Sequence, residues 1–272
     1  MGGIADEREV PAFARETFSD WFRRQSPETS EPVHRRVILW PDTFNNYLHP
    51  EILKAAVEVI RAAGWNVKIP PRPLCCGRPL YDYGELKSAK KLWRQTLDTL
   101  RDDIRAGVTL VGIEPSCVAS FRDELANLFP HEEDARRLVQ QTLTLAEFLN
   151  KCADYNPPKL AAKAIVHCHC HGRAIMGVDH ERAILKKMGL DFEVLDSGCC
   201  GLAGSFGFEQ SHYTISMQIG ERVLLPKVRE TAPETLIVAN GFSCREQISH
   251  GTRRMPLHLA QVLQMALHQR SA

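Results

Sequence analysis

Along the chain, short apolar runs alternate with stretches in which apolar residues recur every three or four positions. Arg36–Trp40 (RVILW) is continuous enough to predict a buried strand. Pro50–Ala63, with Ile52, Leu53, Ala56, Val57 and Ile60 on one stripe, predicts a helix that Gly64 ends. Similar patterns predict strands over Asn66–Pro70 and Val108–Ile113, and helices over Gly84–Ala106, around Cys117–Leu128 and over Asp134–Asn150. After the Asn156-Pro-Pro break the pattern restarts, with strands at Ala164–Val166, Phe192–Leu195 and Thr235–Ala239. Helices follow at His180–Met188, His212–Glu230 and Pro256–His268. Strands alternating with helices predict an α/β fold of mostly parallel sheets joined by right-handed crossovers.

The restart is a duplication. Cys75-Cys76-Gly77 recurs as Cys199-Cys200-Gly201, 124 residues on, and Ser116-Cys117 recurs as Ser243-Cys244, 127 residues on. Each Ser-Cys pair follows a predicted strand, VTLVGIEP in one case and TLIVANGF in the other. The matched offsets predict two Rossmann-like lobes, pseudo-twofold related, over 34–155 and 156–272, with a cysteine-lined crevice between or above the sheet edges. Residues 1–33 read as an arm and linker: Phe13, Phe18, Trp21 and Phe22 recur at helical spacing, and QSPETSEP (25–32) is polar and proline-bearing. An aromatic stripe of that kind must bury itself, either on its own domain or on a partner.

Charge narrows the classes of function. With 34 Lys+Arg against 33 Asp+Glu the net charge is +1, which gives no electrostatic basis for binding nucleic acid or an anionic membrane surface. No apolar run approaches the roughly 18 residues a transmembrane helix needs. The N-terminal stretch carries acidic residues and no signal-peptide core, so the expected location is the cytoplasm. In that reducing compartment the nine cysteines are expected to be ligands or redox groups rather than disulfides.

In the second lobe Cys168, Cys170, Cys199, Cys200 and Cys244 each sit just after a predicted strand. Carboxyl ends of parallel strands converge on one edge, so these residues should meet there. Zinc ribbons use Cys-x-x-Cys knuckles, of which the chain has none, and adjacent cysteines suit a multi-iron cluster better than a single tetrahedral ion. Gly201, Gly204 and Gly207 allow positive φ and leave amides free to point at cluster sulfides, while their spacing is not the dinucleotide fingerprint. In AIVHCHCHGR (164–173) an extended backbone would place Cys168 and Cys170 on one side and His167, His169 and His171 on the other. Cys170 is then the expected ligand, Cys168 an extra ligand or a buried thiol, and the histidines hydrogen-bonding support for the ligands. Cys152 has no repeat partner and reads as a plain thiol, and Arg78 with Tyr81–Tyr83 reads as a polar loop. A Cys–His nucleophile needs one activated thiol, not duplicated sets.

Through PLCCGRPLYDYG, GIEPSC, HCHCHGRA, GCCGLAGSFGFE and NGFSCREQI, spanning about residues 35–268, the chain resembles the cysteine-rich CCG domain family. That family includes the heterodisulfide reductase B subunit and the iron–sulfur subunits of glycolate oxidase, anaerobic glycerol-3-phosphate dehydrogenase and lactate-utilisation systems. The second-lobe motifs look most like the C-terminal part of fused FAD-linked 2-hydroxy-acid dehydrogenases. The family pattern has an early Cys, a Cys-Cys-Gly and a late Cys-x-x-Cys in each lobe. By resemblance Cys170 (followed by His171), Cys199, Cys200 and Cys244 are the second-lobe ligands, with Gly241 where the pattern has a further Cys. Cys75, Cys76 and Cys117 are their first-lobe counterparts, with Thr43 and Glu114 at the other two positions. Gly201 and Gly204 would lie against the cofactor, with His171 beside it.

The resemblance implies an electron-transfer module that holds an iron–sulfur cluster, most simply a 4Fe–4S cubane. It would pass electrons from a flavoprotein that oxidises a 2-hydroxy acid (lactate, glycolate or 2-hydroxyglutarate type) to a downstream acceptor. FAD is expected only on a partner, and activity is not expected without that flavoprotein. The implied partners are the FAD-binding dehydrogenase subunit and a ferredoxin-type iron–sulfur protein, with membrane contact only peripheral, through the acceptor. Residues 1–24 would be a docking arm or the remnant of a fusion junction. Two alternatives stay open: a zinc-stabilised, non-redox binding or scaffold subunit, and a metal-free thiol–disulfide redox protein.

Overall fold

A computed structural model describes residues 3–25 and 35–271, so most of the polar link at 25–32 lies outside the described residues. The chain is α/β and divides into two compact units, Phe13–Asn156, and Met1–Ala12 together with Pro157–Ala272. In the first unit β1 (Arg36–Trp40), β2 (Asn66–Lys68), β3 (Thr109–Gly112) and β4 (Thr142–Thr144) form a sheet of order β2-β1-β3-β4. In the second, β5 (Lys163–His167), β6 (Asp191–Val194) and β7 (Leu236–Ala239) follow the order β6-β5-β7. Every pairing within both sheets is parallel. The second unit also carries the trace of a fourth strand: Leu257 makes a parallel bridge to Val238, with its N–H donating to Ile237 O at 2.7 Å. The two sheets thus repeat one strand order.

The central strands were legible because both their faces are covered. Val37, Ile38, Leu39 and Trp40 are buried, as are Ala164, Ile165 and Val166, and a strand buried on both faces reads as a continuous apolar run. In the first unit Ile38 and Trp40 pack with Trp93, Leu97, Phe121 and Leu138 from three helices, Leu86–Thr99, Pro115–Arg122 and Glu133–Gln141. The ring of Trp40 meets that of Phe121 edge-on at 4.8 Å.

Where sequence and structure differ, local chemistry explains it. The helix expected over Asp134–Asn150 is interrupted by β4, and Thr144 then starts a new helix, Leu145–Lys151, with a capping box to Glu147. The Thr-x-x-Glu signature of that box was present in the sequence. Arg78–Asp82 is a short helix rather than a loop, and Arg78 is held by the Asp82 and Glu124 carboxylates. In the arm, Phe18 and Phe22 of helix Phe18–Gln25 are buried, and Ser19 donates from its amide and its hydroxyl to Asn46 Oδ1 at 2.9 and 2.8 Å. The aromatic stripe is therefore taken up largely by its own unit, although Phe13 is exposed.

The segment before that helix belongs to the second unit. Arg8 is buried and donates from Nε to Gly207 O at 2.8 Å and from Nη2 to Ser216 Oγ at 2.9 Å. Its guanidinium lies over the Tyr213 ring at 5.0 Å. Ile4 makes an antiparallel bridge to Glu209. These contacts clamp the CCGLAGSFGFE loop from outside.

That loop depends on glycine at one position above all. Gly201 has φ +95°, and a Cβ there would lie 2.2 Å from the Ser216 carbonyl oxygen. Gly204, at φ +66°, has nothing within 4 Å of such a Cβ. Gly204→Ala is expected to cost only about 1 kcal/mol of left-handed backbone strain. Gly201→Ala should cost at least ~2 kcal/mol more, because the clash is with backbone. Urea denaturation of both variants checks the difference.

Candidate metal centre

Three strand ends and one loop build the second-unit site. β5 ends at His167, and after a two-residue turn Cys170 opens helix Cys170–Ile175, where the His169 ring caps it by accepting from Gly172 N. Cys199 and Cys200 lie in the loop after β6, and Cys244 sits in the first turn of helix Phe242–Thr252, after β7. Amides at a helix start and the helix dipole favour a thiolate in that place. Because the strand ends at His167 and a helix begins at Cys170, the strict alternation expected for 166–170 does not hold. His167 and Cys170 reach the same cluster, whereas the extended reading put them on opposite sides.

The thiols form a continuous file. Side-chain hydrogen bonds link Cys170 to Cys199, Cys199 to Cys200 and Cys200 to Cys244. Hydrogen bonds from Cys170, Cys200 and the Gly201 amide hold the Cys199 thiol well below its usual range; that amide lies 3.3 Å from Cys199 Sγ. Cys244 is likewise held low, by Cys200 first and then, against the cost of burial, by His167 and His169. The same hydrogen bonds, and then burial, push Cys170 and Cys200 up. Low and high thus alternate along the file, the pattern of close thiols that share protons when they cannot all be charged.

His167 closes the file. His167, Cys200 and Cys244, all buried, offer ligand atoms that lie within 4.8 Å of one another. Burial alone would push the imidazole down, but the Cys244 and Cys199 thiols and the Glu181 carboxylate outweigh it and hold it above its usual value. Glu181 accepts from Asn240 Nδ2 at 3.0 Å, and burial pushes its carboxyl up to about 7.

The other expected residues sort by position. Cys168 stands outside the file, and burial, then Glu181, push its thiol up to about 12. The amide of His171 faces Cys170 Sγ, and its ring stacks on His169 at 6.4 Å between centroids. The Gly204 amide is engaged by Ser243 Oγ at 3.2 Å rather than turned to a sulfur. Cys152 donates to Phe148 O at 3.3 Å, apart from both clusters.

In the first unit Cys76 and Cys117 bring their Sγ atoms to 3.0 Å, and Cys75 hydrogen-bonds to Cys76 and Thr43. The Cys76 carbonyl accepts from Trp93 Nε1 and from Ser120 Oγ. Glu114 is buried and caps helix Pro115–Arg122 by accepting from Ser116 N. All three thiols are pushed up. For Cys75 and Cys76 the shared thiol hydrogen bonds are the main cause. For Cys117 the bond from Cys76 works the other way, but burial and the Asp42 and Glu114 carboxylates outweigh it and push the thiol up to about 11. The second site sets histidines beside its thiols, and the first sets carboxylates.

Sequence reasoning missed His167 as a member of the cluster. The signal was the repeat offset: His167 stands 127 residues after Trp40, the spacing of Cys244 from Cys117.

The donor set fits a thiophilic metal or cluster. Four thiols in mutual hydrogen bonding, with a buried imidazole beside them, can lose their protons together only if a cation replaces them. Comparison with known proteins agrees with this chemistry. The cysteine-rich domain family, CCG, matches residues 43–122 and 165–249. A subunit of the anaerobic glycerol-3-phosphate dehydrogenase of Escherichia coli (strain K12) is 26% identical over 268 residues, covering 97% of this chain and 67% of that protein. Lactate utilization protein A of Bacillus licheniformis is 32% identical over 226 residues, 77% of this chain and 91% of that one. Its namesake from Bacillus subtilis (strain 168) is 29% identical over 246 residues, 84% and 98%. The two matched segments contain every cysteine of both clusters, and the chain belongs to the cysteine-rich CCG domain family.

Proposed function

We propose that this chain is an electron-transfer subunit of a dehydrogenase, and that Cys170, Cys199, Cys200 and Cys244 hold an iron–sulfur cluster. The observation that carries the reading is the unbroken file of four thiols, gathered from the loops and helix starts that follow the carboxyl ends of parallel strands. Four thiolates satisfy a 4Fe–4S cubane, which would supply one-electron storage between a two-electron donor and the next carrier. The protein's own part is to ligate, to shield and to tune. Cys200 and Cys244 are buried while Cys170 is exposed, so one edge of the site faces outward, where a redox partner can approach. The Gly201 amide, aimed at Cys199 Sγ, stabilises negative charge on that sulfur and favours the reduced state. Buried Arg8 and the cramped Gly201 hold the loop in place around the cysteine pair.

The donor we propose is a FAD-binding dehydrogenase subunit acting on a 2-hydroxy acid, with a ferredoxin-type iron–sulfur protein as a further partner. Support comes from relatives named for lactate utilization and for anaerobic glycerol-3-phosphate dehydrogenase. No helix among the described residues is long and apolar enough to cross a membrane. A structural zinc ion is the second reading, favoured by Gly241, Glu114 and Thr43 standing where the family pattern has cysteines. For the first unit, Cys75, Cys76 and Cys117 are candidates for a weaker site, since it gathers three thiols against four in the second.

Protein purified anaerobically is expected to be brown, with about four irons and matching acid-labile sulfide per chain. About one zinc and no colour would overturn the electron-transfer reading. Cys170→Ser and Cys244→Ser should each lose most of the iron, and Cys152→Ser and Cys168→Ser should keep it; metal analysis of the four variants checks this. Anaerobic addition of a 2-hydroxy acid with its flavoprotein should bleach the visible absorbance within seconds. The acid alone should leave it unchanged over the same period.

A further inference from the structure

In a centre held by thiolates alone, His167 would do no more than support the Cys244 thiol from beside it. It is 2% exposed, Nδ1 lies 2.7 Å from Ser197 Oγ, and its buried Nε2 has no nitrogen or oxygen partner and meets only the Cys244 thiol. The ring lies against the sulfurs of Cys200 and Cys244.

Packing does not require an imidazole there. In the first unit the equivalent strand end is Trp40, which pairs with Gly112 as His167 pairs with Ala239, and both side chains are buried. The position therefore accepts a large aromatic ring. The neighbourhood also lacks a thiol where the family resemblance expects one. A Cβ on Gly241 would fall 2.4 Å from His169 Cδ2 and 3.3 Å from Cys244 Sγ, so an imidazole fills the space a cysteine stem would need.

We propose that His167 Nε2 is a direct ligand of the second-unit centre, a fifth donor beside Cys170, Cys199, Cys200 and Cys244, which makes the centre a mixed thiolate–imidazole site rather than an all-thiolate one. Ser197 would fix the tautomer: with Nδ1–H donating to the hydroxyl, the Nε2 lone pair would be left to hold the metal. Compared with the fifth thiolate that the family pattern has where Gly241 stands, a neutral imidazole leaves the centre one negative charge lighter. That raises its reduction potential and makes it a better electron acceptor. The inference rests on the reading that a metal centre occupies this site.

The test uses the intact protein, purified anaerobically with its centre loaded, from cells grown with unlabelled or ¹⁵N-labelled histidine. Pulsed EPR of the dithionite-reduced centre should show nitrogen coupling that changes with the label, persists in His169→Ala and disappears in His167→Ala. In His167→Cys the coupling should vanish, the iron should stay and the midpoint potential should fall. If the metal is zinc, absorption at the zinc edge should show a nitrogen neighbour at ~2.0 Å. A loaded wild-type centre with no histidine nitrogen, or one whose coupling survives in His167→Ala, overturns the ligand assignment and leaves the metal reading standing. Wild-type protein that binds no metal overturns both. Should His167→Ala fail to fold, the labelled wild-type spectrum compared with that of His167→Cys decides the point.

Discussion

Charge crowding is the constraint from which the rest of this molecule follows. Four thiols are pressed together in the second unit, two of them held low and two held high by their shared hydrogens. In a poorly solvated pocket they cannot all become anions unless a cation enters. The fold supplies what such a pocket needs: strand ends that converge, a helix start beneath Cys244, and an amide aimed at Cys199. Proton sharing is what lets the four groups stand so close.

The duplication makes the comparison internal. Both units repeat one strand order and place a cysteine in the first turn of the helix after the third strand, yet their electrostatics diverge. Asp42 and Glu114 press on Cys117 in the first unit, where all three thiols are pushed up. His167 and His169 stand beside Cys244 in the second, where the thiol is held low. Small changes at equivalent positions, Trp40 against His167 and Glu114 against Gly241, turn one scaffold into two sites of opposite polarity.

How much was legible beforehand depended on how local each signal was. Buried parallel strands announce themselves as apolar runs, and β1, β3, β5 and β7 were readable for that reason. β4 was not, because three residues inside a helical stripe carry too little pattern, although Thr144 and Glu147 marked the helix that follows. The Cys-Cys-Gly repeat brought the right cysteines into view. His167 escaped because alternation was carried past the end of the strand, and the place where β5 gives way to a helix is a property of the folded backbone. The aromatic arm showed only that it must bury something; its contact with Asn46 comes from tertiary packing that no spacing encodes.

The clamp by Arg8 has a consequence for biosynthesis. Its bonds to Gly207 and Ser216 join residues 199 and 208 positions apart, so the loop bearing Cys199 and Cys200 is locked by residues that leave the ribosome long before it does. The first unit can collapse while translation continues, but the second cannot complete its cradle until the far end of the chain has emerged. On the proposed reading, insertion of a metal into the finished pocket is a late event, and the early segment has to be kept available until then.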